Sequence, residues 1–288
     1  MASMIAVFDC VEGIGGEKEP TEKEESESSF FVGESELPSQ YAQYADTFQK
    51  LASVGRYVDA DLPENFIGDN VLQHTIRCVA YFLKLLRIEE GTGQVKSSPL
   101  AACERMLYIH DFGEAGVDIG DNNAVKSGKT QEYKDRECAA ARKILSDSDF
   151  NLYSLFKAIS GFLNGVEDTK IGQTPYDRAA ILAKLIDSID GNIVFHRALS
   201  TWIKKGNNIE EIPKGYISWM FAQYNQYKMR IMELNVPDIE RAFFISLLDT
   251  QLFEVQNMWS ADHPMPQVLA EKFQSVTSER REEGSQGA

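Results

Sequence analysis

Residues 99–121 read PLAACERMLYIHDFGEAGVDIGD, and they combine a buried-type helix with a candidate site. Pro99 suits the first turn of a helix, where its missing N–H has no intrahelical partner to lose. The apolar residues that follow lie at i, i+3, i+6, i+7 and i+10, which places them on one helix face. The members of this stripe are Leu100, Cys103, Met106, Leu107 and His110. His110 therefore points the way that the core residues point. We predict that the helix ends at His110 and Asp111, where glycines and acids begin.

The same periodicity runs through most of the chain and predicts an all-α fold. Helical patterns occur at residues 41–51, 71–86, 99–110, 131–145, 150–160, 176–199, 216–234 and from 237 onward. Asp69 and Asn70 are suited to cap the second of these helices. No run of alternating β-branched residues is long enough to predict a strand. We therefore predict a bundle of helices with additional helices at its C-terminus.

The chain divides into a tail, one domain and a second tail. Residues 1–40 are predicted to be a disordered acidic tail, because residues 17–28 carry six acids against two lysines and no large apolar side chain. We expect residues 41–277 to form one all-α domain that includes the C-terminal helices. Residues 278–288 are predicted to be a polar tail.

Composition limits the function classes that the chain can serve. Its 288 residues carry a net charge of −15, which disfavours binding to nucleic acid or to an anionic membrane through a basic surface. A small anionic substrate would need a local positive charge, from a metal ion or a few basic side chains. The four cysteines form no CxxC pair, and no apolar run approaches the ~20 residues of a membrane span. The N-terminus lacks the basic segment of a secretory signal, so we expect a cytoplasmic protein.

Three predicted helices carry inward-facing residues that are able to bind a metal ion. The candidates are His74, His110, Asp111, Asp187 and Asp190. Buried imidazoles and carboxylates are costly unless they are paired or metal-bound. Two imidazoles with two carboxylates suit Zn, Mn, Co or Fe, or a Mg site with softer ligands. The alternative interpretation is that His110 and Asp111 only end a helix and that His74, which shares a face with Cys78, is an ordinary core histidine.

Three short segments together resemble the HD-domain metal-dependent phosphohydrolases. DNVLQH at 69–74 is similar to the Glu-Asn-Val-x-Glu-His signature of the bacterial 5′-deoxynucleotidase-like branch. HDFGE at 110–114 resembles the His-Asp-x-x-Glu of that branch, and KLID at 184–187 resembles its Lys-x-x-Asp. The resemblance spans residues 56–190 and implies an HD-domain-like helical bundle.

The resemblance implies a phosphomonoesterase that releases phosphate from nucleoside (deoxy)monophosphates with a metal-activated water. It implies a divalent metal ion (Mn, Co, Zn, Fe or Mg) as the cofactor and a phosphorylated small molecule, a nucleotide, as the partner. The implied metal ligands are His74, His110, Asp111 and Asp187. Glu114 corresponds to the catalytic acid, which positions the attacking water or protonates the leaving oxygen. The implied substrate-binding residues are Arg56 for the phosphate, Asp118 or Asp121 for the sugar, and Lys184.

The sequence departs from this branch at several positions. Asp69 replaces the usual Glu, Gln73 replaces an acid, and the segment after Glu114 is longer than the family pattern. Only Asp187 fits the Lys-x-x-Asp spacing. Asp190 is therefore interpreted as a solvated or helix-pairing acid rather than a ligand.

Two other function classes stay open at this point. One is an HD hydrolase that cuts a phosphodiester or a guanosine polyphosphate, and the other is a non-catalytic helical binding protein with a degenerate site. A homodimer is also left open. The histidines outside the motifs, His196 and His263, are interpreted as structural or surface residues.

Overall fold

The computed structural model describes residues 38–56, 62–63, 66–91, 98–116, 131–145, 150–161, 177–233, 236–257 and 270. Every named element in these ranges is a helix, which confirms the predicted all-α fold. The helices are α1 (Ala45–Ser53), α2 (Val71–Gly91), α3 (Ser98–Ile109), α4 (Gln131–Leu145), α5 (Phe150–Gly161), α6 (Asp177–Lys204), α7 (Lys214–Glu233) and α8 (Asp238–Gln256). Short 3₁₀ turns lie at Ser39–Tyr44, Phe112–Gly116 and Ile209–Glu211. Several predicted features lie outside the described residues, namely Asp118, Asp121, His263, most of the N-terminal tail and the C-terminal tail.

Helix α6 is the central element of the bundle. It packs against α2, α3, α5, α7 and α8. Its 28 residues make it long, about 42 Å at 1.5 Å per residue. Every residue is buried from 179 to 183 and again from 192 to 196. A helix that is buried on all its faces must be surrounded by other helices, and this places Asp187 and Asp190 in the interior.

The start of α2 is fixed by reciprocal capping, as the Asp69 and Asn70 pair predicts. The Asn70 Oδ1 accepts the backbone N–H of Gln73 at 2.9 Å, and the Gln73 Oε1 accepts the N–H of Asn70 at 3.2 Å. This is the geometry of a capping box. The N–H of Arg56 donates to the carbonyl of Asp69 at 3.0 Å. The segment after α1 is thereby attached to the first turn of the helix that carries His74.

The end of α3 lies where the sequence predicts it. The helix ends at Ile109, and the chain then enters the 3₁₀ turn Phe112–Gly116. The Phe112 side chain is fully buried and meets Phe48 edge-on, with the ring centroids 5.2 Å apart. The turn is thus attached to the core on one side. On its other side it packs against α4.

Within the part of the chain that the structure describes, no helix is long and apolar enough to cross a membrane.

Candidate metal centre

Three helices bring the four predicted ligands together. His74 comes from α2, His110 and Asp111 follow the end of α3, and Asp187 comes from α6. The Nε2 atom of His74 lies 3.1 Å from the Nε2 of His110 and 3.0 Å from the Oδ1 of Asp187. The Nε2 of His110 lies 3.0 Å from the Oδ2 of Asp111. Both imidazoles therefore direct the same ring nitrogen at one point, which two carboxylates also approach.

The spacing of these atoms fits the ligand shell of a single divalent ion. Two further separations are longer, 3.6 Å from His74 Nε2 to Asp111 Oδ2 and 3.9 Å from His110 Nε2 to Asp187 Oδ1, and the second is wider than neighbouring ligands of one ion. A metal with ligands at about 2.0–2.2 Å places neighbouring ligand atoms about 3.0–3.5 Å apart. The nitrogen and oxygen donors are also the types that borderline divalent ions accept.

A sulfur atom lies beside the imidazoles. His74, Cys78 and His110 form a buried group whose ligand atoms all lie within 4.8 Å of one another and could hold a metal ion. The Cys78 Sγ is 3.6 Å from the Nδ1 and 3.8 Å from the Nε2 of the His74 ring. A sulfur in the ring plane at both these distances would collide with the C–H between the nitrogens, so it lies over the ring face. Burial also raises the pKa of this thiol, which keeps it neutral.

The charged groups of the cluster shift one another's pKa values. Burial opposes a charged imidazole, but the Asp111 carboxylate outweighs it and the pKa of His110 rises to about 9. Burial likewise opposes ionisation of Asp111, yet His110 holds its pKa well below the usual range. For Asp187 the opposing burial is outweighed first by Lys184 and then by the imidazoles, and its pKa is also low. The two carboxylates are therefore ionised and suited to a cation.

Asp190 is buried, so of the two predicted alternatives, a solvated acid or a helix-pairing acid, the solvated one is wrong. Its side chain is 0 % exposed, and its Oδ2 lies 2.6 Å from the Nδ1 of His74. It also receives two hydrogen bonds from Arg77 of α2, so it does pair two helices as predicted. The sequence interpretation missed Arg77, although its position three residues after His74 places both on one face of α2.

The described residues predicted to bind substrate or to act in catalysis lie in three different surroundings. Arg56 faces Asp69 and Asp190, with its Nη1 at 3.6 Å and 3.4 Å from their carboxylates. Lys184 forms an ion pair with Asp187 on α6. Glu114 is partly exposed in the 3₁₀ turn, and its backbone N–H donates to the carbonyl of Asp111 at 2.9 Å.

A pocket opens beside the cluster. Its volume is about 50 Å³, and His110, Asp111 and Asp187 form one wall. The lining from α4 and α5 consists of Lys134, Glu137, Cys138, Phe156, Ile159 and Ser160. A pocket of this size holds a few water molecules or a small anion. No local pattern in the sequence points to these wall residues, because they are brought to the cluster only by helix packing.

Comparison with known proteins adds no relative. No family model, no curated protein and no solved structure matches this chain.

Proposed function

We propose that this chain is a metal-dependent phosphohydrolase that releases phosphate from nucleoside (deoxy)monophosphates. The observation that carries the proposal is the convergence of two imidazoles and two carboxylates from three helices, with ligand-atom separations of 3.0 to 3.9 Å. Their order in the sequence and the Glu three residues after Asp111 agree with the resemblance to HD phosphohydrolases. The pocket beside the cluster supports a substrate that presents a small anionic group.

In this proposal the chain's own residues hold the metal and guide the proton. His74, His110, Asp111 and Asp187 are the ligands. When bound, a divalent ion makes hydroxide available by lowering the pKa of a coordinated water towards ~7, and it offsets phosphate charge. Glu114 gives a proton to the ester oxygen that leaves as the P–O bond breaks.

A phosphate must enter a protein with a net charge of −15. Lys134 lines the same pocket as His110, Asp111 and Asp187, and its ammonium would contribute a positive charge to a phosphate bound there. Arg56 is turned towards Asp69 and Asp190, so we assign the phosphate contact to Lys134 ahead of Arg56.

The proposal extends to the cofactor and the cellular setting. The two imidazoles and two carboxylates suit Mn, Co, Zn or Fe, or a Mg site with softer ligands. We also propose a cytoplasmic location, because Cys78 and Cys103 are buried free thiols and a reducing compartment preserves them.

The test is metal content together with phosphate release. Anaerobically purified protein is analysed for bound metals and then assayed on nucleoside monophosphates, diesters and guanosine polyphosphates. Asp111→Asn, which removes one carboxylate charge from the cluster, should lose metal and activity together. Asp135→Asn, an exposed acid on α4, is the matched control and should lose neither.

Three results would contradict the proposal. Full metal content and full activity in Asp111→Asn would show that this cluster is not the metal and active site. Cleavage of diesters or polyphosphates alone would make the protein another kind of HD-like hydrolase. Metal-free and inert protein would favour a helical binding protein.

A further inference from the structure

A buried network of charged groups lies behind the metal-facing side of His74. The ring presents Nε2 to the cluster and Nδ1 to Asp190, and the Nδ1 to Oδ2 distance is 2.6 Å. These two side chains are 1 % and 0 % exposed. Because both groups are shielded from water, this short contact belongs to the protein interior and is not a surface ion pair.

The partner of Nδ1 decides which ring nitrogen is available to a metal. A neutral imidazole has one N–H donor and one acceptor nitrogen, and a carboxylate only accepts. The proton facing Asp190 therefore belongs on Nδ1, so Nε2 is the nitrogen that is available to a metal ion. Nε2 lies 3.1 Å from His110 and 3.0 Å from Asp187, among the other proposed ligands.

The second imidazole of the cluster has the same arrangement with a different acceptor. The Nδ1 of His110 lies 2.8 Å from the backbone carbonyl of Leu107, one turn earlier on α3. Both histidines thus have a hydrogen-bond acceptor on the far nitrogen and direct Nε2 at the cluster. For His110 the local helix supplies that acceptor, whereas for His74 another helix must supply it.

Asp190 is itself held by a rigid contact from α2. The Arg77 Nε donates to Oδ1 at 2.8 Å, and its Nη2 donates to Oδ2 at 2.9 Å. The outer edge of the same guanidinium donates to both oxygens of Asp69, at 2.9 Å and 2.8 Å. Because a guanidinium is planar and rigid, two paired contacts fix the carboxylate in position and in rotation.

We propose that Asp190 is the positioning residue for His74, and that Arg77 and Asp69 hold Asp190 in that role. The inference rests on the proposed function only in taking His74 to be a metal ligand. Asp190 contacts no substrate in this proposal, and it acts by fixing the tautomer and the direction of the imidazole. Groups that orient a metal-binding histidine in this way commonly change metal affinity by about 10–100-fold when they are replaced.

The test compares Asp190→Asn with the unmodified protein. An asparagine keeps the shape of the side chain but has only one acceptor oxygen. Its N–H₂ group must face either an Arg77 donor or His74, so the hydrogen bonds to Arg77 and to His74 cannot all form. Metal-free protein is titrated with Mn²⁺ or Zn²⁺ against a chromophoric chelator, and we expect metal affinity to fall by about 10–100-fold. In the Zn²⁺-loaded protein, ¹⁵N NMR of the His74 ring should show the proton on Nδ1 and the metal on Nε2, and this signature should weaken in the variant.

Glu240→Gln is the matched control. Glu240 is also 0 % exposed and pairs with an arginine, Arg178, but it lies on α8 outside the cluster. The Glu240→Gln substitution should lower thermal stability and leave metal affinity unchanged. Arg77→Lys keeps a positive charge but loses the paired contacts, and we expect it to weaken metal binding in the same direction as Asp190→Asn.

The outcomes separate this inference from the proposed function. Absence of metal binding by the unmodified protein would overturn the proposed function. If the unmodified protein binds metal and folded Asp190→Asn binds it equally well, the positioning role is overturned. An equal loss of affinity in Glu240→Gln would also overturn it, because general loosening would then explain the effect. If Asp190→Asn does not fold, unchanged affinity in Arg77→Lys decides against the inference.

Discussion

At the scale of single residues, the cluster and its neighbour Glu114 have different surroundings. His110 and Asp111 direct their ligand atoms at each other from 3.0 Å. Glu114 lies three residues further on, in the 3₁₀ turn, and its side chain is partly exposed. The proposed reaction gives this carboxyl the role of the acid.

We therefore expect Glu114→Gln to lose turnover while keeping its metal. An amide cannot donate and regain a proton as a carboxyl does, and general acid–base catalysis contributes about 10²–10⁴-fold. The measurement is kcat for phosphate release, with metal content determined on the same sample. Glu132→Gln, an exposed glutamate on α4, should behave like the unmodified protein. An unchanged kcat in Glu114→Gln would exclude this residue from the reaction.

The residues that meet in the cluster could be proposed from the sequence, but most of those around them could not. His74, His110, Asp111 and Asp187 belong to short motifs with fixed spacing. Lys134 and the other pocket residues from α4 and α5 belong to no such motif, since helix packing alone brings these two helices to the cluster. Of the two alternatives for Asp190, the solvated one was wrong and the helix-pairing one agrees with the Arg77 contact, because an acid in an apolar helix shows its burial only when its cationic partner is known.

At the scale of elements, the 3₁₀ turn after α3 depends on a glycine packed against α4. A Cβ added at Gly113 would lie 2.6 Å from the backbone carbonyl oxygen of Glu137. That atom belongs to helix backbone and cannot move as a flexible side chain does. The glycine is therefore needed for the close approach of the turn that carries Glu114.

Replacement of this glycine should disturb stability and the site together. We expect Gly113→Ala to lower the free energy of unfolding by about 1–3 kcal/mol, the usual cost of overpacking. Activity should also fall, because the turn must move away from α4. The measurement is urea unfolding alongside the phosphate-release rate.

The chain offers a matched control for that substitution. A Cβ at Gly68 would meet nothing within 4 Å, so Gly68→Ala should change stability by about 0.5 kcal/mol or less. Equal stability of the two alanine variants would show that the turn is free to adjust.

Element boundaries followed from the sequence wherever the apolar period was strong. Gln131–Leu145 matches its predicted range, whereas α6 extends five residues beyond the predicted end at 199. The last turn of α6 mixes two apolar residues, Trp202 and Ile203, with Lys204 and an exposed Thr201, so the apolar pattern alone did not mark its end. Nor did the sequence distinguish the 3₁₀ turn at Phe112–Gly116 from a simple helix end.

At the scale of the whole molecule, α6 also carries a buried histidine with no role in the cluster. His196 is 1 % exposed, and neither ring nitrogen has a hydrogen-bond partner among the described residues. Its ring packs edge-on against Phe221. Burial lowers its pKa from 6.5 to about 3. The structural interpretation of this histidine agrees with its burial.

The protein should lose stability in acid through His196. Above pH 6.5 the ring is neutral in both the folded and the unfolded chain. As the pH falls from 6.5 towards 3, only the unfolded chain gains the proton, so this residue lowers the free energy of unfolding by up to ~1.4 kcal/mol per pH unit. His196→Leu should therefore show a shallower loss of stability between pH 6.5 and 4, measured by urea unfolding. Parallel profiles for the two proteins would contradict this account.

The long separation of the ligands along the chain limits how the cluster can be transplanted. His74 and Asp187 are 113 residues apart in sequence and 3.0 Å apart in space. No loop or short peptide therefore contains the cluster, and it cannot be grafted onto another scaffold as one continuous segment. The smallest unit that keeps its geometry is the packed set of α2, α3 and α6. Ion binding would accordingly report on the integrity of that helical assembly, since partial detachment of α6 removes Asp187 and the Asp190 contact at once.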